Sequence, residues 1–306
     1  MFSSRKRKIR RALGDARLQK ALRKASSEHF RAFQKTSEPA SWQACKVRAR
    51  EIREECVRRL PELIRQFREE AGKAGAYVHR AATSEEALRV IEDILGRKKA
   101  KLVVKSKSMV SEEIGLNRFL EDKGYKVVET DLGEWIVQLA KERPSHITAP
   151  ALHKTKEEVA ELLSRELGRP VPPDIGEMVK IARLELRRHF IEADAGISGA
   201  NLAVAESGTL VIVSNEGNAR LVTSLPPLHI ALVTTEKFVG TLEQAVSLVK
   251  ALTMASSGIK ISSYVSFITG PSRTTDIEKE LVTGVHGPGE VHIIIIDNGR
   301  LAVAGD

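Results

Sequence analysis

The stretch of sequence that decides the fold is Ile293–Asp297, which reads Ile-Ile-Ile-Ile-Asp. The run is short and apolar, with no alternation of apolar and polar residues, and this is typical of a strand whose two faces are both covered. The sequence therefore predicts a strand in the interior of a parallel sheet.

Working back from that strand, strand and helix patterns alternate from residue 101 onward. The predicted strands are Lys101–Lys105, Lys126–Glu129, His146–Ala149, Leu202–Ala205, Thr209–Val213 and His229–Val233. The predicted helices are Ser108–Lys123, Thr155–Leu167, Ile175–Ile191 and Leu242–Thr253. Such alternation predicts an α/β fold in which helices cover both faces of a mostly parallel sheet. Ligands of these sheets bind at the carboxyl ends of the strands.

The residues before this alternating region are predicted to be helical. Apolar residues from Ile52 to Phe67 recur at helical spacing, and Pro61 is expected to restart that helix. Thr83 is positioned to cap the next helix, with Glu86 three residues further on. The predicted organisation is a basic helical arm at residues 1–40, a helical part packed on the core at 41–100, and the α/β core at 101–306.

The positive charge is concentrated near the amino terminus. The 306 residues carry a net charge of +9, and residues 1–35 contain 12 basic and 2 acidic residues. A nucleic-acid-binding domain shows clustered basic residues on its folded face, so no nucleic-acid partner is expected. Residues 1–35 are predicted to form a basic amphipathic helix that docks on a partner or contacts a membrane peripherally. A solvated or frayed helix is the alternative.

The two cysteines, Cys45 and Cys56, limit the kinds of site that the chain can form. They are too few for a disulfide framework, which favours a reducing cytoplasm, and too few to hold an iron–sulfur cluster by themselves. No apolar run approaches the roughly 18 residues of a transmembrane helix, and the basic amino terminus lacks the pattern of a secretory signal. The expected location is the cytoplasm.

The first candidate site is the loop that follows the predicted strand Lys101–Lys105. Its predicted anion-binding residues are Lys105, Ser106, Lys107, Ser108 and Glu112. Lysines, serine hydroxyls and the free backbone N–H groups at a helix start favour binding of a phosphate or carboxylate. The alternative is that Ser108 or Ser111 only caps the helix and that the lysines are solvated.

The second candidate site consists of loops rich in glycine and asparagine. It includes the stretch Asp194–Asn201, the predicted ligand-binding residues Gly208, Thr209, Asn215 and Asn218, and the predicted catalytic residues Glu206 and Glu216. A glutamate at the mouth of a sheet can act as a nucleophile or general base. The alternative for Glu206 is a turn, because residues 206–209 have the length of a hairpin connection.

Two further loops contribute candidates. His229, after two prolines, is a candidate acid, base or hydrogen-bond donor, and Gly270 is a candidate ligand-binding residue. No HxxxH or CxxC spacing predicts a metal site. The sequence also lacks GxSxG, Walker and GxGxxG motifs, which argues against self-contained catalysis of those kinds.

Several of these stretches, taken together and in order, resemble a known family. They are Val104–Asn117 (Val-Lys-Ser-Lys-Ser-Met-Val-Ser-Glu-Glu-Ile-Gly-Leu-Asn), Glu129–Glu134, Ser145–Lys154, Gly196–Thr209, Asn215–Asn218 and Pro226–Ala231. The chain is similar to the LUD domain of the lactate-utilisation iron–sulfur protein B family, over nearly its whole length. The resemblance implies a three-layer Rossmann-like core, like that of the sugar-isomerase and CoA-transferase group.

The resemblance also implies a redox role. Family members act in a three-component system that oxidises L-lactate to pyruvate, and full-length members continue into a ferredoxin-like region that binds two 4Fe-4S clusters. This sequence stops at Asp306, and neither Cys45 nor Cys56 lies in a CxxC-type run. The expectation is that no cofactor lies within this chain, and that the clusters belong to a missing region or to an iron–sulfur partner.

Three functions are compatible with these residues. The leading hypothesis is a LUD-domain component of an L-lactate utilisation system that binds a small carboxylate or nucleotide-like anion and works with iron–sulfur and LUD-domain subunits. In it, lysines pair with the anion while Glu216 or His229 handles a proton. The alternatives are a CoA- or acyl-transferase-like enzyme with Glu206 or Glu216 as nucleophile, and a non-catalytic scaffold that docks an iron–sulfur partner.

Overall fold

The computed structural model describes residues 2–36, 39–146, 149–257 and 261–304. The helices are α1 (Phe2–Gly14), α2 (Ala16–Thr36), α3 (Pro39–Arg58), α4 (Leu60–Lys73), α5 (Ser84–Arg97), α6 (Met109–Glu113), α7 (Leu116–Asp122), α8 (Leu132–Leu139), α9 (Lys156–Leu167), α10 (Ile175–Glu192), α11 (Asn218–Ser224), α12 (Leu242–Ser257) and α13 (Arg300–Ala304). The strands are β1 (Tyr77–Ala81), β2 (Leu102–Lys105), β3 (Lys126–Glu129), β4 (Ala195–Gly199), β5 (Leu202–Val204), β6 (Thr209–Ser214), β7 (Leu228–Thr234), β8 (Phe238–Val239), β9 (Tyr264–Ile268), β10 (Arg273–Thr274), β11 (Val282–Thr283) and β12 (Glu290–Ile296).

The centre of the molecule is a six-stranded sheet in the order β1-β12-β7-β4-β2-β3. Every neighbouring pair in it is parallel. The predicted α/β fold with a mostly parallel sheet is therefore confirmed. The isoleucine-rich strand β12 lies inside the sheet, between β1 and β7, as its apolar sequence requires.

Successive isoleucines of β12 belong to different cores. Ile294 and Ile296 pack with apolar residues of α5, α6 and α7 on one face of the sheet. Ile293 and Ile295 point to the opposite face, where α3, α4, α12 and a four-stranded sheet of order β8-β5-β6-β9 cover them. Helices α8 to α11 cover the β2–β3 end of that second face. Both faces are buried, and this produces three layers.

The amino-terminal helices follow the sequence signals closely. Helix α3 ends at Arg58, and α4 begins at Leu60 with Pro61 in its first turn. The Thr83 hydroxyl caps α5 by accepting a hydrogen bond from the Glu86 N–H. Helices α2 and α3 both lie against α12. Across the described ranges, no helix is long and apolar enough to cross a membrane.

Two strands of the central sheet are not apparent from the sequence. Strand β1 lies in the region predicted to be helical, where it pairs with β12 at the edge of the sheet and leaves Tyr77 exposed. Strand β4 contains Gly196 and Gly199, so its sequence predicts a loop. It is nevertheless a buried interior strand between β7 and β2.

The structure corrects two other element predictions. The helix predicted at Ser108–Lys123 is divided into α6 and α7 at Gly115, whose φ of 69° is left-handed and ends the first helix. The strand predicted at His146–Ala149 is not formed at His146 or Ala149, which have no regular structure, and residues 147–148 lie outside the described residues. The division of the chain at residues 40 and 100 stays a prediction.

The close approach of α11 requires a glycine at position 196 in β4. Two glycine-to-alanine variants, one at this position and one at an open position, should therefore differ strongly in stability. A Cβ at Gly196 would lie 2.0 Å from the Val222 carbonyl oxygen, whereas a Cβ at Gly72, on the exposed side of α4, would meet nothing within 4 Å. We expect Gly196→Ala to lower the free energy of unfolding by about 2–3 kcal/mol, and Gly72→Ala to leave it unchanged or raise it by up to about 1 kcal/mol. Urea unfolding of both variants tests this, and equal effects would contradict it.

Candidate functional site

The candidate site lies at the point in the sheet where the strand order reverses. From β2 the chain moves outward to β3, whereas from β4 it moves to β7 on the other side, so the carboxyl ends of β2 and β4 border a crevice. Open α/β sheets bind ligands at such points. A cavity of about 470 Å³ occupies this crevice, between the carboxyl edge of the sheet, the end of β6 and the start of α11.

The cavity brings together residues from both candidate loops. The predicted residues that line it are Ser106, Lys107, Ser108, Asn215, Glu216 and Asn218. They lie far apart in the sequence, but the loops after β2 and β6 face each other across the crevice. The Asn218 side-chain amide also donates a hydrogen bond to the Thr130 hydroxyl at 3.4 Å, which joins the start of α11 to the loop after β3.

Lys105 and Glu112 have a different role from the one predicted. The Lys105 side chain is 1% exposed, and its Nζ lies 2.8 Å from Glu129 and 3.3 Å from Glu112. Burial alone lowers the pKa of Lys105, but the two carboxylates reverse this effect and raise it. Lys105 is therefore a charged member of a buried ion network beneath the cavity, and it is not available to an anion there.

The predicted residues of the β5–β6 connection lie outside the cavity. Residues 205–208 form the turn between antiparallel β5 and β6, and Thr209 begins β6, so the hairpin interpretation is confirmed. Glu206 accepts a hydrogen bond from the Leu242 N–H at 2.7 Å, at the start of α12. Gly208 has a φ of 64° and packs on α4. The Thr209 hydroxyl forms hydrogen bonds with the hydroxyls of Ser207 and Thr269.

His229 and Gly270 also lie elsewhere. His229 is fully buried near the amino end of β7, with Nε2 2.8 Å from the Ser198 hydroxyl, and burial lowers its pKa to about 4. It is a neutral residue of the sheet core without access to the cavity. Gly270 has a φ of 73°, and a Cβ at this position would lie 2.1 Å from the Ala74 carbonyl oxygen. Its glycine therefore allows the backbone to pack closely against the end of α4.

Burial and neighbouring charges shift the pKa values of the carboxyl groups at and beside the cavity. Burial raises the pKa of Glu216, and the nearby Asp131 carboxylate raises it further, with Lys107 acting in the opposite direction. Lys107 Nζ lies 3.7 Å from a Glu134 oxygen. Burial, followed by the Glu129 charge, raises the pKa of Glu134 to about 7. The cavity thus holds the Lys107 cation and the Glu216 carboxyl group, whose pKa is raised, while Glu134 contacts Lys107 without lining the cavity.

Asp131 and Lys237, which were not predicted as site residues, also line the cavity, together with Asn201, which belongs to the candidate stretch Asp194–Asn201 but was given no role of its own. Asp131 caps α8 through the Glu134 N–H, and Lys237 Nζ donates a hydrogen bond to the Ala200 carbonyl at 3.1 Å. Each follows the carboxyl end of β3, β4 or β7, so the rule that ligands bind at strand ends provides the missing signal. For Asn201 that signal was hidden, because β4 was not recognised as a strand.

The cavity lining is suited to a polar organic anion. Among the described residues, no group of three or more His, Cys, Asp or Glu side chains is arranged to hold a metal ion. Cys56 is buried against Gln244, and Cys45 lies on the same helix, away from the cavity lining. Apolar side chains such as Met109, Ile212 and Leu252 form part of the lining, and its polar groups are ammonium, hydroxyl, amide and carboxyl groups, which bind and orient carboxylates or hydroxyls.

The buried pair Lys105–Glu129 predicts a strong and asymmetric effect on stability. Replacing Lys105 with Met leaves the Glu129 carboxylate buried without its partner, which typically costs about 3–5 kcal/mol of unfolding free energy. The double variant Lys105→Met/Glu129→Leu removes both charges and should recover most of that loss. The exposed Lys101→Met serves as the control, with little expected effect. A double variant no more stable than the single one in urea unfolding would contradict the pairing.

Comparison with known proteins agrees with the fold and the sequence motifs. The family model described as the LUD domain matches residues 64–296. The chain is 41% identical over 298 residues to lactate utilization protein B of Shouchella clausii (strain KSM-K16), covering 97% of this chain and 59% of that protein. It is 43% identical over 265 residues to lactate utilization protein B of Geobacillus kaustophilus (strain HTA426), covering 86% of this chain and 54% of that protein.

A solved structure is also similar: that of a DUF162 family protein from Deinococcus radiodurans, with a TM-score of 0.41, 15% identity, and coverage of 78% of this chain and 98% of that chain. The chain spans somewhat more than half of the length of the curated relatives described above. The family model covers all six strands of the central sheet and every residue that lines the cavity. It does not cover helices α1 to α3. The chain belongs to the LUD domain family.

Proposed function

We propose that this chain is the LUD-domain component of an L-lactate utilisation system and that its cavity binds a small 2-hydroxy or 2-oxo carboxylate. One observation carries the proposal: a single cavity at the switch point of the sheet contains Lys107 and Glu216, a cation beside a carboxyl group with a raised pKa. The names of the relatives, lactate utilization protein B, support the choice of lactate.

The cavity residues divide the work of binding and proton transfer. Lys107 pairs with the carboxylate of lactate, and the hydroxyls of Ser106 and Ser108 donate further hydrogen bonds to it. Glu216, in its carboxylate form, accepts the proton of the lactate hydroxyl, since its raised pKa makes this carboxylate a stronger base than an exposed one. Asn218 holds the opposite loop in place through its bond to Thr130.

The oxidation itself requires an electron acceptor. Conversion of lactate to pyruvate releases two electrons and two protons, and side chains do not accept electrons from an alcohol. Glu216 takes the hydroxyl proton, while the C2 hydrogen leaves as a hydride that carries both electrons to a hydride-accepting cofactor of a partner subunit. We propose that an iron–sulfur partner protein, or a 4Fe-4S region outside residues 1–306, then takes the two electrons one at a time as the second proton is released, with a further LUD-domain subunit in the complex. The basic helices α1 and α2 offer a cationic surface on which an acidic partner or an anionic membrane could dock.

For the transferase alternative, only one of the two predicted nucleophiles lines the cavity. Glu206 holds the backbone at the start of α12 and does not face the cavity, so only Glu216 remains as a candidate nucleophile for acyl or CoA transfer. Incubation with an acyl-CoA followed by borohydride would modify Glu216 if it acted in this way. Lactate binding without such a modification would favour the lactate proposal.

The role of Lys107 is tested by lactate binding. Replacing Lys107 with Met removes the charge that pairs with the carboxylate, and we expect lactate affinity to fall by roughly 10- to 100-fold, because hydrogen bonds to charged groups contribute about 1.5–3 kcal/mol. Titration calorimetry on the purified chain measures this. Lys101→Met, an exposed lysine outside the cavity, is the matched control, and an equal loss of affinity in both variants would rule out the assignment.

The role of Glu216 is tested by the pH dependence of lactate oxidation in the complete complex. Glu216 accepts a proton only when it is deprotonated, so activity should fall as the pH decreases through its raised pKa, above the ordinary value of about 4.3. Glu216→Gln keeps the shape of the side chain but cannot act as a base, and it should lose this limb of the profile together with most of the activity. Lactate-dependent dye reduction reads out the rate; an unchanged profile in Glu216→Gln would show that another group takes the proton.

A further inference from the structure

We propose that Lys237 is a reactive amine that forms an imine with a 2-oxo acid bound in the cavity. The inference rests on the proposed function, because it takes the cavity as a site for small 2-hydroxy and 2-oxo carboxylates. It adds a covalent site on a residue that the proton-transfer scheme does not use. The ligand class is the 2-oxo acids, of which pyruvate is the simplest probe.

The surroundings of Lys237 set it apart from the other lysine of the cavity. Lys107 has the Glu134 carboxylate at 3.7 Å. Within the part of the chain that the structure describes, no carboxylate oxygen lies within 4.0 Å of Lys237 Nζ, whose recorded hydrogen bond goes to the Ala200 carbonyl at 3.1 Å. That contact leaves the other positions on the nitrogen open toward the cavity, which Lys237 and Ala200 both line.

The neighbouring acids are already engaged with an arginine. Glu113 and Glu236 both form ion pairs with Arg300 and not with Lys237. Burial lowers the pKa of Lys237, and Arg300 and Arg53 act in the same direction, with Glu236 and Glu113 opposing them. A partly buried lysine beside two guanidinium groups holds more of its amine in the neutral, nucleophilic form, as in known Schiff-base lysines.

The spacing of the strands fits a small bifunctional ligand. Lys237 follows β7 and Lys107 follows β2, and these two strands are separated by β4 alone. Adjacent strands are about 4.8 Å apart, so the two backbones are roughly 10 Å apart at the sheet edge. Both lysines line the same cavity, so this spacing leaves room for a molecule of a few carbons, with its carboxylate at Lys107 and its carbonyl carbon at Lys237.

The covalent step is a condensation and needs no oxidant. The neutral amine of Lys237 attacks the C2 carbonyl carbon, and a C–N bond forms while the carbonyl oxygen becomes the hydroxyl of a carbinolamine. One amine hydrogen moves to that oxygen in this step. Loss of the hydroxyl together with the remaining amine hydrogen, as water, gives the imine. Hydrolysis reverses the step, so the amine is regenerated and the 2-oxo acid is released unchanged.

The experiment uses the full chain with pyruvate and sodium borohydride. Borohydride supplies a hydride that converts the imine into a stable secondary amine, and intact-mass and peptide mass spectrometry locate the adduct. We expect one adduct, on Lys237. It should be absent from Lys237→Met and Lys237→Arg, present in the exposed-lysine control Lys250→Met, and absent when propanoate, which lacks the carbonyl, replaces pyruvate. Thermal unfolding of each variant confirms that it is folded.

A parallel measurement separates this inference from the proposed function. Titration calorimetry of pyruvate and lactate reports non-covalent binding through Lys107. Binding without an adduct overturns the imine and leaves the proposed function standing. An adduct of equal size in Lys237→Met, or one spread over surface lysines, also overturns it. Absence of both binding and adduct overturns the imine and the proposed ligand class together.

Discussion

The structure depends on the burial of β12 from both sides. A strand of consecutive isoleucines cannot leave one face in water without exposing a large apolar surface, so each face requires its own covering layer. Ile294 and Ile296 meet the helices of one layer, and Ile293 and Ile295 meet the small sheet and helices of the other. The three-layer arrangement follows from this requirement.

Parallel strands bring the same ends of many segments together. Because all six strands point the same way, the loops after β2, β3, β4 and β7 meet at one edge, although they are separated by up to about half of the chain. The small sheet then places the loop after β6 opposite them. The cavity is therefore a consequence of the topology: its lysines, carboxyl groups and asparagines come from segments that have no contact in the sequence.

A buried ion network supports the loop that carries Lys107 into the cavity. Lys105, fully buried, neutralises Glu129 and also contacts Glu112. The remaining negative potential, together with burial, raises the pKa of Glu134 to about 7, and Glu134 in turn is the carboxylate nearest to Lys107. A buried ion network of this kind is expensive to desolvate. Here its charges act on Glu134, which does not line the cavity but contacts Lys107, which does.

The sequence by itself determined the α/β class, the isoleucine strand, the amino-terminal helix boundaries and the membership of the LUD family, because these depend on local patterns of apolar residues, caps and motifs. It also identified Lys107, Glu216 and Asn218 as candidates, since strand ends and loops can be read locally. Only the tertiary structure decided that β1 and β4 are strands, since β1 is half exposed and β4 contains glycines that α11 requires. It also decided that Lys105 is buried, that His229 is enclosed and that Lys237 lies at the cavity. Burial and charge pairing depend on neighbours distant in sequence, which no local pattern encodes.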